Sequence, residues 1–155
     1  MQNYDTWLEK NRFSLRCKPN TQKESYKNFF GTRWSATAPK HFFQYEIYYA
    51  KLLEHRKSRP FVILQNDHLN RACFEGEYHS ITVAPISSRL KGGEYRVELN
   101  PREGLKKQSE IVINALGIID VGSVEFERGC ITVLTSKEIT ALQNAMKSLF
   151  RIEND

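Results

Sequence analysis

Arg59-Pro60-Phe61-Val62-Ile63-Leu64 is the stretch on which the fold turns. Its four apolar residues are continuous rather than alternating, the pattern of a strand buried on both faces. Pro60 disfavours helix for the residue before it, so Arg59 belongs at the start of that strand. Upstream, Glu46-Ile47-Tyr48-Tyr49-Ala50-Lys51-Leu52 is rich in strand formers, and the charged Glu54-His55-Arg56-Lys57-Ser58 reads as the connecting loop. Downstream, Ser80-Ile81-Thr82-Val83-Ala84 shows mixed alternation, and Glu94-Tyr95-Arg96-Val97-Glu98-Leu99 alternates polar and apolar as a half-buried strand does. Glu110-Ile111-Val112-Ile113-Asn114 and Ile131-Thr132-Val133-Leu134 add two short strands, with turn chemistry at Lys91-Gly92-Gly93 and at Asn100-Pro101-Arg102-Glu103-Gly104. So many short strands within about 85 residues predict a strongly bent sheet or small barrel.

The two ends differ from this middle. Thr135-Ser136-Lys137-Glu138 is a capping box, and Ile139, Leu142, Met146 and Leu149 follow at helical spacing. These predict a C-terminal amphipathic helix whose apolar stripe packs on the core. The composition changes near residue 45. Before it, Thr21-x-x-Glu24 is a second capping box, and Gly31 after Phe30 is a helix stop. Tyr4, Trp7, Phe13, Tyr26, Phe29, Phe30 and Trp34 crowd this segment with aromatics. Residues 1–41 are therefore expected to form a helical N-terminal extension docked on a barrel domain spanning 42–155. Basic residues interleaved with aromatics would also suit stacking of RNA bases.

Composition narrows the function. At 155 residues the chain is of single-domain size, and its 40% hydrophobic content suffices for a core. No apolar run approaches the roughly 20 residues of a membrane helix. MQNYDTWLEK, at the start, is polar and carries acids, unlike a signal peptide. A cytoplasmic protein without a membrane partner is expected. Cys17, Cys73 and Cys130 form an odd, unpatterned set that fits a reducing compartment, and no Cys or His pair has zinc-ligand spacing. The net charge of +5 is carried entirely by residues 1–45, the remainder being balanced. A basic end on a neutral body suits a polyanion partner, or is simply a solvated surface.

Three stretches, taken in order, resemble the MazF/PemK family of toxin endoribonucleases. The first is the strand Glu46–Tyr49, the charged loop, and Arg59-Pro60 before the buried strand. The second is Thr82-Val83-Ala84-Pro85-Ile86-Ser87-Ser88-Arg89-Leu90-Lys91-Gly92. The third is Gly104-Leu105-Lys106-Lys107-Gln108-Ser109-Glu110-Ile111-Val112, running on to Leu116-Gly117-Ile118-Ile119-Asp120. The C-terminal helix completes the set, which covers about residues 45–150. The resemblance implies a mainly β fold with α: an SH3-like small β-barrel of the CcdB/PemK type. It also implies a homodimer that cleaves single-stranded RNA without metal or other cofactor, and a cognate antitoxin protein threading a disordered segment across the active site.

Metal-free RNA cleavage uses the ribose 2′-OH as nucleophile and leaves a 2′,3′-cyclic phosphate and a 5′-OH. The enzyme must stabilise charge on the phosphoryl oxygens and move two protons. A guanidinium suits the first task, because its planar fork grips two phosphate oxygens and stays charged. Arg59 matches the family's catalytic arginine, and otherwise is a surface Arg at the head of a strand. Ser87 and Ser88 match the family's hydroxyl pair, where a hydroxyl can donate to a phosphate oxygen or orient the leaving oxygen; without the resemblance they read as turn-capping serines. His55 is the candidate proton carrier, since imidazole titrates near neutrality; His41, His68 and His79 have no supporting motif. Arg56, Lys57, Arg89, Lys91 and Asn114 are the expected RNA contacts, the basic ones to the backbone.

One departure stands out. Some family members carry Arg-x-Asp, or an acidic residue, in the third block, where this chain has Val112 and Asn114. Val112 cannot clamp a phosphate and Asn114 cannot act as a base. The enzyme reading therefore rests on Arg59 and Ser87, and its alternative is a non-catalytic PemK-like protein that binds RNA, an antitoxin or another protein.

Overall fold

The computed structural model describes residues 41–52 and 56–153. The expected N-terminal extension, with its Thr21 cap and Gly31 stop, lies outside the described residues, as does His55. Within them the chain runs β1 (Glu46–Ala50), β2 (Arg59–Ile63), α1 (Asp67–Phe74), β3 (Ser80–Ser87), β4 (Arg96–Leu99), β5 (Ser109–Val112), β6 (Gly117–Asp120), β7 (Thr132–Val133) and α2 (Ser136–Phe150). The strands form one curled antiparallel half-barrel in the order β4-β5-β3-β2-β1-β7, with β6 paired to β3. At eight residues β3 is the hinge of this sheet. One of its edges pairs with β2. The other pairs with β6 along Ser80–Val83 and with β5 at Ile86 and Ser87.

The continuous apolar run of β2 has its expected cause. Phe61 and Ile63 enter one apolar cluster with Tyr48, Ala50, Ile81, Val83, Val124 and Phe126. Val62 and Leu64 enter another with Ile47, Ala84, Ile86, Leu99, Ile111 and Ile113. Successive side chains of a strand point to opposite faces, so a strand covered on both must be apolar throughout. Leu142 and Ala145 of α2 belong to the second cluster, and Ile139, Met146 and Leu149 pack against it. The α2 capping box forms as read: Thr135 Oγ1 accepts from the Glu138 N–H, and Glu138 Oε2 accepts from the Thr135 N–H at 2.8 Å.

Two elements were not expected. Helix α1 is short, with Asn66 as its N-cap accepting from the Leu69 N–H at 3.0 Å. Its buried residues are Asn70, Ala72 and Cys73, too sparse an apolar stripe to mark a helix in sequence. Strand β6 lies in the stretch quoted above only as the tail of the third block. It leaves Ile118 exposed and owes its form to the ladder with β3. The expected Glu110–Asn114 strand is shorter than read, because Ile113–Ala115 turn into a single 3₁₀ turn. Among the described residues Cys73 is a free, buried thiol.

The turn between β4 and β5 closes through reciprocal backbone hydrogen bonds between Arg102 and Leu105. Gly104 sits there at φ +83°, and a Cβ on it would lie 2.3 Å from the Ile131 carbonyl oxygen. Both the left-handed backbone and the close approach require glycine. Gly104→Ala is expected to cost at least about 2 kcal/mol, read as a lowered midpoint in urea unfolding. An unchanged midpoint would mean that this contact relaxes freely.

Candidate functional site

Antiparallel pairing places two of the expected catalytic residues at the same end of the sheet. Phe61 pairs with Pro85. The ladder ends at that pair, so Arg59 at the head of β2 and Ser87 at the end of β3 each lie two residues beyond it, at the same end of the sheet. Ser87 in turn pairs with Glu110 of β5, which pairs with Glu98 of β4. The ends of three strands thus carry a row: Arg59, Ser87, Glu110.

Each member of the row is held differently. Arg59 is exposed and makes no side-chain hydrogen bond or ion pair among the described residues, so its guanidinium is available to an anion. The β1–β2 loop that precedes it is anchored where it leaves β1: the Lys51 N–H donates to the Ser123 carbonyl at 2.9 Å. Ser87 is half-buried, and its Oγ accepts from the Arg89 N–H at 3.1 Å. That oxygen is thereby fixed while its O–H remains able to donate.

Glu110 is buried, 6% exposed, and organises the loop that follows β3. Its Oε1 accepts from the Gly92 N–H at 2.9 Å, and its Oε2 accepts from the Lys91 N–H at 3.1 Å and from Arg96 Nη1 at 2.9 Å. Burial opposes ionisation of this carboxyl. The two loop N–H groups and the Arg96 guanidinium outweigh it, and the group is held below its ordinary carboxylate range. Gly92 and Gly93 adopt φ +65° and +108° with open space around them, so they serve the bend of the loop rather than a close approach.

The remaining candidates fall into three places. Arg56 and Lys57 are exposed at the end of the β1–β2 loop, beside Arg59. Ser88, Arg89 and Lys91 are exposed in the Glu110-anchored loop, Ser88 being one residue past the end of β3. Asn114 lies apart. It is exposed in the 3₁₀ turn between β5 and β6, beside the middle of β3 rather than its end, because Ile111 pairs with Ile86 and Gly117 with Val83. Of the other histidines, His68 and His79 are exposed, while His41 stacks on Phe74 at 3.9 Å between ring centroids. Burial lowers the pKa of His41, against the opposing pull of Glu75. Among the described residues no three His, Cys, Asp or Glu side chains gather as a metal site, and no helix is long and apolar enough to cross a membrane.

Sequence reading missed Glu110 and Arg96. The available signal was a carboxylate beside the apolar Ile111 and Val112 in the Ser109–Val112 strand, since a buried acid requires partners. Arg96 is one of them, standing opposite Val112 in the β4–β5 ladder.

A curled antiparallel half-barrel with a C-terminal helix packed on its core is the fold of MazF-like domains. The chain belongs to the PemK-like, MazF-like toxins of type II toxin-antitoxin systems, whose family profile matches residues 43–150. Solved structures share the fold. The Mycobacterium tuberculosis toxin MazF-mt6 superposes with TM-score 0.58 at 24% identity, covering 70% of this chain and 99% of its own. An endoribonuclease in complex with its cognate antitoxin, from a mycobacterial species, gives 0.59 at 11% identity, covering 73% and 98%. The MazE-MazF structure from Deinococcus radiodurans (Form-II) gives 0.58 at 16% identity, covering 74% and 99%. A sequence search of curated proteins finds no match.

Proposed function

We propose that this toxin-family chain is a metal-independent endoribonuclease that cuts single-stranded RNA, leaving 2′,3′-cyclic phosphate and 5′-OH ends. The observation that carries the reading is an exposed Arg59, without a side-chain partner among the described residues, at the same end of the sheet as Ser87. The Arg59 fork binds two oxygens of the scissile phosphate and stabilises the charge that builds there as the 2′-oxygen attacks. The Ser87 hydroxyl donates to the same phosphate or to the departing 5′-oxygen. One proton leaves the 2′-OH and one reaches the 5′-oxygen; His55, in the β1–β2 connection, is the proposed carrier. Arg56 and Lys57 on one side and Arg89 and Lys91 on the other would grip the strand through its phosphates, Ser88 would add a second hydroxyl, and Asn114 would contact RNA farther along β3.

A homodimer and a cognate antitoxin belong to the same proposal, supported by the likeness to the MazE-MazF and endoribonuclease–antitoxin structures. The alternative, a binding protein without catalysis, is favoured by one observation: Val112 is a half-buried aliphatic residue, and the nearby Asn114 is not acidic. The two readings separate when purified protein is incubated with long single-stranded RNA in EDTA. Discrete cuts whose 5′ products end in a cyclic phosphate support the nuclease. Retained binding with intact RNA supports the alternative.

A further inference from the structure

Arg96 stands on the flank of Ser87 opposite Arg59, in the strand order β4-β5-β3-β2. Its Nη1 donates to Glu110 Oε2 at 2.9 Å and to the Arg89 carbonyl at 3.5 Å. Both partners border Ser87: Glu110 is its ladder partner, and the Arg89 N–H donates to its Oγ. The Arg96 side chain is only 18% exposed, so its position is defined by these contacts rather than left to solvent.

The way it meets Glu110 matters. An arginine committed wholly to an ion pair uses two nitrogens on two carboxylate oxygens. Here the contact runs through Nη1 alone, onto Oε2, while Oε1 accepts from the Gly92 N–H. Nε and Nη2 make no hydrogen bond among the described residues. A guanidinium is thus fixed beside Ser87 with part of its donor fork unspent. The exposed Arg89 and Lys91 add positive charge on the adjoining loop.

We propose that Arg96 binds a second backbone phosphate of single-stranded RNA, the one flanking the phosphate held by Arg59. The strand then crosses the sheet from β2 over Ser87 to β4, with one guanidinium at each end of the crossing and Glu110 holding the second in place. This rests on the RNA-cleavage reading, but its test does not.

The probe is a mixed-sequence 2′-O-methyl oligoribonucleotide, which keeps every phosphate and cannot be cut because its nucleophile is blocked. Its affinity is measured against salt concentration for the wild type, Arg96→Ala, Arg96→Lys, and Arg96→Ala combined with Glu110→Gln. The double variant leaves no carboxylate stranded without its partner. Losing one phosphate contact should reduce the slope of log K against log salt by about 0.7 in both alanine variants, with Arg96→Lys near wild type. An unchanged slope in the folded double variant overturns the proposal.

A second arm uses cleavable RNA in which the phosphate beside the mapped cut is a neutral methylphosphonate. Neutralisation should lower kcat/KM about tenfold for the wild type and leave Arg96→Ala unaffected. An equal penalty in both proteins also overturns it. Should no RNA be cut while the slope still falls, the nuclease reading fails and the phosphate subsite stands.

Discussion

Arg59→Ala should reduce RNA cleavage by about 10²–10³-fold, the usual loss when a donor aimed at developing phosphoryl charge is removed. Its melting temperature should stay within a degree or two of wild type, roughly what an exposed surface substitution costs, because Arg59 is exposed and without a side-chain partner among the described residues. The combination is diagnostic: a residue that matters to the fold would move both quantities. Arg59→Lys keeps the charge but not the planar fork, so it should recover only part of the rate. Ser87→Ala should give a smaller loss than Arg59→Ala, since a hydroxyl offers one donor where the guanidinium offers several. Gel-based initial rates on one RNA in EDTA, beside thermal melts, measure all of this. Cleavage by Arg59→Ala at the wild-type rate would remove the phosphate clamp from the mechanism.

The largest structural effect is expected at Glu110. Glu110→Ala strands the Lys91 and Gly92 N–H groups and leaves the Arg96 guanidinium partly buried without its carboxylate. Breaking one side of such a pair costs about 3 kcal/mol. Glu110→Gln keeps an acceptor for the loop and should cost about half as much. The effect depends on pH with a defined sign. The folded-state pKa of this carboxyl is depressed from its ordinary value of 4.5. Its stabilisation is therefore complete above that value and disappears as pH falls through the lower, folded-state one. The wild type should lose its advantage over Glu110→Gln as pH is taken from about 7 to about 3. Urea midpoints for both proteins across that range provide the measurement. A constant gap would show that the carboxylate's charge does not hold the loop.

Much of this molecule was legible in the sequence because its signals are local. The apolar run at Phe61–Leu64 announces a strand buried on both faces, since side chains alternate and each must find apolar contact. Thr135 and Glu138 announce a helix start because both halves of the capping box lie within one turn. Arg59 and Ser87 were legible only through an ordered resemblance, as neither carries a distinctive motif of its own.

What tertiary structure decided are the facts made by residues distant in sequence. Arg59 and Ser87 come to one end of the sheet only because β2 and β3 pair antiparallel, and a slip of one residue in that register would turn the side chains of one strand to the opposite face. Glu110 reads as a polar residue in a strand until the chain folds the Lys91–Gly92 turn and Arg96 onto it. Helix α1 and strand β6 form because the sheet offers Cys73 a buried site and Ile119 a partner across from Ile81. Sequence thus determined the strands and the C-terminal helix whose signals are local, and offered Arg59 and Ser87 as side chains that could meet a phosphate. The pairing of strands determined which of those side chains stand together, because that depends on contacts between segments and not on the local preference of any one of them.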